Sequence, residues 1–149
     1  MDTPTPPSDP PPALWNPKAA ASWSVFFGPA FGAYLHARNA DCLGRTDEAK
    51  ANRVWFYSSL AYLGFVLLSI FIPAIPDGMF KGATTGIILG WYFTLGKKQI
   101  KHVKETLPNG YQRRPWKKPL LIAFGCMVGF LVVAVVLALV AEKFFGIAL

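Results

Sequence analysis

The chain has 149 residues, of which 53% are hydrophobic and 15% are charged, and its net charge is +7. Its apolar residues form blocks too long for the interior of a soluble domain of this size, and soluble domains carry about 25% charged residues, so the composition argues against a soluble globular protein. The positive charge is concentrated in one segment, which indicates a membrane-topology signal rather than a nucleic-acid-binding surface.

The first 18 residues predict a flexible or polyproline-like tail. The segment is rich in proline and carries acidic side chains at Asp2 and Asp9. It has no basic stretch followed by an apolar stretch, so it is not predicted to be a signal peptide. Proline at this density favours an extended chain without a packed core.

Residues 19–37 predict one apolar helix with a kink. Large side chains recur at the spacing of one helix face, and the other face carries Ser24, Gly28, Gly32 and His36 at four-residue steps. A helix lying on the membrane surface would have Lys or Arg on its polar face; this one has none, so we expect it inside the membrane. Pro29 should kink it. The segment either spans the bilayer, which we favour, or enters and returns on the same side.

Three further segments are predicted to cross the membrane, which gives an all-α integral membrane bundle. A helix rises about 1.5 Å per residue, and the hydrocarbon core is about 30 Å thick. The predicted division of the chain is a tail at 1–18, the kinked apolar helix at 19–37, a cytoplasmic linker at 38–53, transmembrane helices at 54–75, 79–96 and 119–141, a basic cytoplasmic loop at 97–118, and a C-terminal tail at 142–149.

The basic residues determine the expected orientation. Eight of the fifteen Lys and Arg lie between the second and third spans: Lys97, Lys98, Lys101, Lys104, Arg113, Arg114, Lys117 and Lys118. The positive-inside rule puts this loop in the cytoplasm and the C-terminus in the periplasm. The same residues should attract anionic lipid headgroups, by about 1 kcal/mol for each one near the surface. Aromatic residues are expected to line the cytoplasmic interface: Trp55, Tyr57, Trp91, Tyr92 and Trp116.

Glycine recurs every four residues along the second span, and similar steps occur in the first and last apolar segments. Glycine weakens a helix by about 1 kcal/mol relative to alanine, but in lipid it lets helix backbones approach closely. The residues predicted to pack helices together are Gly28, Gly32, Gly78, Gly82, Gly86, Gly90, Gly125 and Gly129. The first interpretation is that these faces pack within the chain; the alternative leaves one face for another subunit or a partner.

The sequence carries no arrangement typical of an enzyme. It contains no acidic residue deep in a span, no nucleophile–base set and no phosphate-binding loop. Ser and Thr within the spans are expected to hydrogen-bond to helix carbonyls or neighbouring helices. Cys42 lies in a polar linker and Cys126 in an apolar run, and neither they nor His36 have ligand spacing, so no disulfide, metal or cofactor is expected.

The opening of the chain resembles a group of small, mostly uncharacterised bacterial inner-membrane proteins. The residues that carry the resemblance are an N-P-x-A-A-A-x-W-S start at 16–24, a P-A-F-G-A stretch at 29–33 and an L-G turn at 43–44. The resemblance covers residues 15–56 and implies a bacterial origin and a multi-pass helical membrane fold. It brings no catalytic residues.

These observations predict a non-enzymatic bacterial inner-membrane protein that acts by helix packing with a partner or with copies of itself. The specific hypothesis is an immunity or accessory protein for a membrane-active secreted toxin or an envelope complex, by analogy with other small multi-pass proteins. The competing hypothesis is a small transporter or channel subunit, and a weaker one is a lipid-binding enzyme subunit. No nucleic-acid partner is expected.

Overall fold

A computed structural model describes residues 10–72, 74–75 and 77–146, apart from the surroundings of Asp77, Gly78 and Lys81. The described part of the chain is mostly α-helical, as predicted. Its elements in chain order are β1 (Ala13–Leu14), α1 (Pro17–Phe27), α2 (Pro29–Cys42), α3 (Thr46–Ser69), α4 (Asp77–Trp91), a π-helical turn (Tyr92–Gly96), α5 (Lys97–Thr106), β2 (Gln112–Arg113) and α6 (Lys117–Phe145).

The segment predicted as one kinked helix over 19–37 is part of a hairpin of two antiparallel helices. Gly28 separates them in a left-handed conformation with φ of 85°, which glycine adopts without steric cost. Pro29 then occupies the first turn of α2, where its missing N–H costs nothing. The kink was therefore predicted at the right place, but proline begins a new helix there instead of bending an existing one.

Side-chain contacts along the hairpin establish its antiparallel course. The rings of Phe27 and Phe31 lie 5.3 Å apart beside the turn, and His36 Nε2 donates to Pro17 O at the open end. Beyond it, Trp15 N donates to Asn39 Oδ1 and Asn39 Nδ2 donates to Trp15 O, at 3.0 and 2.7 Å. Because the two ends of the segment meet, the hairpin argues against the interpretation in which 19–37 crosses the bilayer as one helix.

Helices α3 and α4 also run antiparallel. Tyr62 Oη donates to Phe80 O at 2.9 Å, and at the other end of the pair Trp91 Nε1 donates to Asn52 Oδ1, also at 2.9 Å. Past Trp91 the chain continues through the π-helical turn directly into α5. The spacing of Ile100, Val103 and Leu107 is typical of one helix face and indicates this extension, but the sequence gives no sign of the change in helical pitch.

Helix α6 stands largely apart from the other helices. It is the one described helix long and apolar enough to cross a membrane, and none of its most apolar 18-residue window is buried. Its last turn approaches the end of α3, where the rings of Phe145 and Phe71 lie 5.7 Å apart. Three transmembrane helices were predicted; the structure gives one candidate span by these criteria of length and composition.

The N-terminal segment joins the basic loop at the same end of the molecule. Strands β1 and β2 pair in parallel, with Ala13 opposite Gln112, and Trp15 Nε1 donates to Pro115 O at 3.1 Å. Asn16 then caps α1 by accepting from the backbone N–H of Lys18. The flexible tail predicted for 1–18 is therefore ordered from β1 onward, and residues 1–9 lie outside the described part.

Candidate binding site: packed and open helix faces

The eight glycines predicted to pack helices fall into different classes. Gly28 forms the hairpin turn and has no atom of the described chain within 4 Å of a Cβ built on it. Gly32 is tightly enclosed: a Cβ there would overlap Ser24 Oγ and lie 2.5 Å from Trp91 Cη2. A Cβ on Gly90 would lie 3.3 Å from Trp55 Cη2. Internal packing therefore accounts for Gly32 and Gly90.

The remaining glycines have open surroundings. Within the described part of the chain, no atom lies within 4 Å of a Cβ built on four of them: Gly82, Gly86, Gly125 and Gly129. Gly78 lies on α4, but its surroundings are outside the part of the chain that the structure describes. At these four positions the small-residue faces of α4 and α6 leave open space within the described part of the chain, whereas the first interpretation expects them to pack against other helices.

Trp91 lies at the centre of the packed end of the molecule. It is fully buried and packs with Ala21 and Ala33, with Trp55, Phe56 and Leu95 partly buried around it. The sequence predicted Trp91 at the lipid interface, and this is wrong because the hairpin covers the indole. Gly32 makes room for the indole ring, and Asn52 accepts from its N–H.

His36 belongs to the same buried cluster. Its ring meets that of Trp91 edge-on at a centroid distance of 4.9 Å, and its backbone carbonyl accepts from Gln99 Nε2 at 2.8 Å. Because Pro17 O can only accept, Nε2 carries the proton in the neutral ring, which leaves Nδ1 unprotonated. His36 Nδ1 and Gln99 Oε1 are both buried without a hydrogen-bond partner among the described residues. The hairpin is thus joined to α4 by a ring contact and to α5 by a side-chain hydrogen bond, and the helix periodicity alone revealed neither.

Acid is expected to destabilise the packed end through His36, which lies in the hairpin, outside α3, α4 and α6. Burial lowers the pKa of His36 from 6.5 to about 4, against the opposing effect of the hydrogen bond to Pro17. Between these values the unfolded chain binds a proton that the folded chain does not, so stability is complete above pH 6.5 and falls towards pH 4, by about 3 kcal/mol. Thermal unfolding in detergent across this range measures the loss.

The matched variant for this prediction is His36→Gln. Glutamine keeps a donor for Pro17 O but does not titrate, so the fall in melting temperature between pH 6.5 and 4 should be smaller than in the unmodified chain. An equal fall in both proteins would attribute the acid sensitivity to other groups and contradict the role given to His36.

The charged residues lie together at the end where the hairpin opens. Arg53 Nη2 donates to both carboxylate oxygens of Asp41, at 2.8 and 2.7 Å, and Arg45 pairs with Glu48 at 2.6 Å. The guanidinium of Arg114, from the basic loop, stacks 4.7 Å from the ring centre of Trp15. The linker at 38–53 and the loop at 97–118 therefore share one side of the molecule, which agrees with the single orientation expected for both.

Hydroxyl groups within α3, α4 and the π-helical turn bond mainly to the backbone. Ser59, Ser69, Thr84 and Thr94 each donate to a carbonyl three or four residues earlier, at 2.6 to 2.8 Å. For these four the expected bonding to helix carbonyls is confirmed. Thr84 Oγ1 also lies 2.9 Å from Tyr62 Oη, and both hydroxyls reach Phe80 O, which is a polar contact between α3 and α4.

Comparisons with family models, curated proteins and solved structures give no match.

Proposed function

We propose that this chain is a multi-pass protein of the bacterial inner membrane that binds the apolar helix of a partner protein inside the bilayer. The proposal is supported by the distribution of polarity. Large apolar side chains are exposed along α3, α4 and α6, whereas four of the buried polar residues, His36, Asn39, Asn52 and Gln99, lie towards the charged end. A monomeric soluble protein rarely exposes apolar surface of this extent, and lipid would cover it.

In the proposed topology α3, α4 and α6 cross the bilayer and the α1–α2 hairpin enters without crossing. Residues 77–96 form 20 continuous helical residues, enough for about 30 Å. The charged linker and basic loop would face the cytoplasm, where Lys and Arg concentrate. The contact between Phe71 and Phe145 lies at the other end of α3 and α6, which would be periplasmic.

The observation that carries the binding function is the open small-residue face of α4, at Gly82 and Gly86. Glycine in a membrane helix lets another helix approach its backbone closely. At Gly82 and Gly86 no other part of the described chain occupies the space where a Cβ would lie. A similar open face on α6, at Gly125 and Gly129, adds a second surface of the same kind. An immunity or accessory protein for a membrane-active toxin or envelope complex remains the specific hypothesis, since such proteins act by contact rather than by catalysis.

Replacing Gly86 with leucine is expected to remove the partner while leaving the fold intact. A tagged chain would be recovered from native inner membranes in mild detergent, and the amount of co-purified partner compared among variants. Gly86→Leu should lose most of the partner because its side chain fills the contact. Gly64→Leu is the matched control, because Gly64 of α3 also has open space around it but no glycine four residues away.

Three outcomes would contradict the proposal. Equal recovery from Gly86→Leu and Gly64→Leu would exclude the glycine face, and release of the chain by alkaline carbonate would exclude membrane insertion. Ion flux in liposomes containing only this protein would favour the transporter or channel class. Cross-linking through Cys126, which is exposed on α6, tests for a second copy in place of a different partner.

A further inference from the structure

A pocket of about 140 Å³ opens between α2 and α3, on the side of α3 that carries Arg53. It combines aromatic and cationic side chains, and its lining residues are Tyr34, Ala37, Arg38, Arg53, Phe56 and Tyr57. Among these residues, the rings of Tyr34 and Phe56 have centroids 5.6 Å apart, and Arg38 and Arg53 supply the positive charge. Neither the basic-loop prediction nor the glycine faces involve this pocket.

The pocket lies where the surface of α3 changes from charged to apolar. Towards the charged end of α3, Arg53 pairs with Asp41 and Arg45 pairs with Glu48. Towards the apolar end of α3, the side chains of Val54, Tyr57 and Leu60 are exposed, and Tyr57 is 65% exposed. If α3 enters the bilayer here, as the proposed function requires, the pocket is at the depth of the lipid headgroups, where tyrosine rings and arginine side chains concentrate.

The hydrogen-bonding capacity of the pocket is only partly used. Asp41 engages a single nitrogen of Arg53, Nη2, so Nε and Nη1 keep their donors. Arg38 is exposed and makes no hydrogen bond or ion pair within the described chain. With Asp41 counted against the two arginines, the local charge is +1, which balances one phosphodiester group.

We propose that this pocket binds the phosphate group of an anionic phospholipid of the inner membrane. Arg38 and the free donors of Arg53 hold the phosphate oxygens through charge-assisted hydrogen bonds. The rings of Tyr34 and Tyr57 pack beside the glycerol, and the acyl chains follow the exposed apolar surface of α3. Basic pockets beside transmembrane helices on the cytoplasmic side recognise lipid headgroups by this chemistry.

Native mass spectrometry of the detergent-purified full chain tests the assignment. The probes are phosphatidylglycerol, phosphatidylcholine with the same acyl chains, and inorganic phosphate. We expect retention of one phosphatidylglycerol, about tenfold weaker binding after Arg38→Gln, as for loss of one charged hydrogen-bond donor, and no comparable effect of inorganic phosphate. Lys50→Gln is the control, because it removes the same charge from an exposed residue of α3 that lies outside both the basic loop and the pocket lining.

Each alternative result overturns a defined part of the proposal. Equal retention of phosphatidylglycerol and phosphatidylcholine excludes an anion-selective pocket, and equal losses in Arg38→Gln and Lys50→Gln assign binding to the overall basic charge. Saturation by inorganic phosphate alone makes the ligand a free anion and excludes the lipid. Carbonate extraction separately tests membrane insertion, so loss of lipid selectivity in a chain that stays in the membrane contradicts this inference alone.

Discussion

Replacing Gly32 with valine is expected to destabilise the folded chain by about 3 kcal/mol, the upper end of the usual cost of overpacking. The reason is the absence of free volume around this position. A Cβ alone would lie 2.5 Å from Trp91 Cη2 and would overlap Ser24 Oγ. Trp91 and Ser24 are both fully buried, so neither can move away without opening the contact between the hairpin and α4. Thermal unfolding in detergent measures the effect.

The control for this prediction is Gly86→Val, which makes the same chemical change on α4. No described atom lies within 4 Å of a Cβ at Gly86, so the isolated chain should change in stability by no more than about 0.5 kcal/mol. A loss of similar size in the two variants would mean that valine acts through the helix backbone, and the role given to the packed indole would be wrong.

The contrast between these two glycines marks what the sequence can predict. Both lie in a series of small residues that recur every four positions, and this spacing correctly indicates which residues share a helix face. It does not indicate what that face meets, since this depends on how distant segments fold together. Gly32 meets Trp91, 59 positions further along the chain, whereas Gly86 meets nothing in the described structure.

Local signals predicted the boundaries of several elements well. Gly44 follows the end of α2 with φ of 68°, and Gly110 has φ of 92° after Asn109, in a dipeptide that is typical of turns. The acidic residues Asp47 and Glu48 lie in the first turn of α3, where the helix dipole favours negative charge. These features are determined by backbone preferences of a few neighbouring residues, so one sequence is enough to identify them.

Long-range polar contacts were not predictable in the same way. The hairpin over 17–42 depends on Asn39 bonding to Trp15 and on His36 bonding to Pro17, neither of which follows from helical periodicity. The π-helical turn directly after Trp91 is another feature without a sequence signal. Such turns interrupt a regular helix, and here the turn lies between the buried indole and Gln99, whose amide reaches His36 O.

The buried polar cluster explains why one end of a mostly apolar chain can be specifically folded. Apolar side chains in lipid gain little from contact with one another, so helix position depends on close packing and hydrogen bonds. In the described chain, close packing and long-range hydrogen bonds meet at Asn52, Trp91, His36 and Gln99. The open glycine positions of α4 lie beyond this cluster, which leaves them accessible while the cluster fixes the helix that carries them.

Replacing Trp91 is therefore expected to have the largest effect of any single substitution in the cluster. Trp91→Ala removes a fully buried indole and should cost about 3–5 kcal/mol in stability. Trp91→Phe keeps a ring against Gly32 and His36 but leaves Asn52 Oδ1 without its donor, which should cost about 1–3 kcal/mol. Trp23→Phe is the matched control, because Trp23 is 38% exposed and its indole N–H makes no hydrogen bond in the described chain.

A double-mutant cycle with Asn52 separates the hydrogen bond from the packing. If the bond accounts for the loss in Trp91→Phe, adding Asn52→Leu to that variant should remove the unpaired acceptor. The loss of stability in the double variant should then be smaller than the sum of the losses in the two single variants. Full additivity would show that Asn52 and Trp91 act independently, and a Trp91→Phe variant as stable as Trp23→Phe would exclude the bond altogether. Because Asn52 lies on α3 and Trp91 on α4, a measured coupling would identify this pair as the connection that holds the two helices in register.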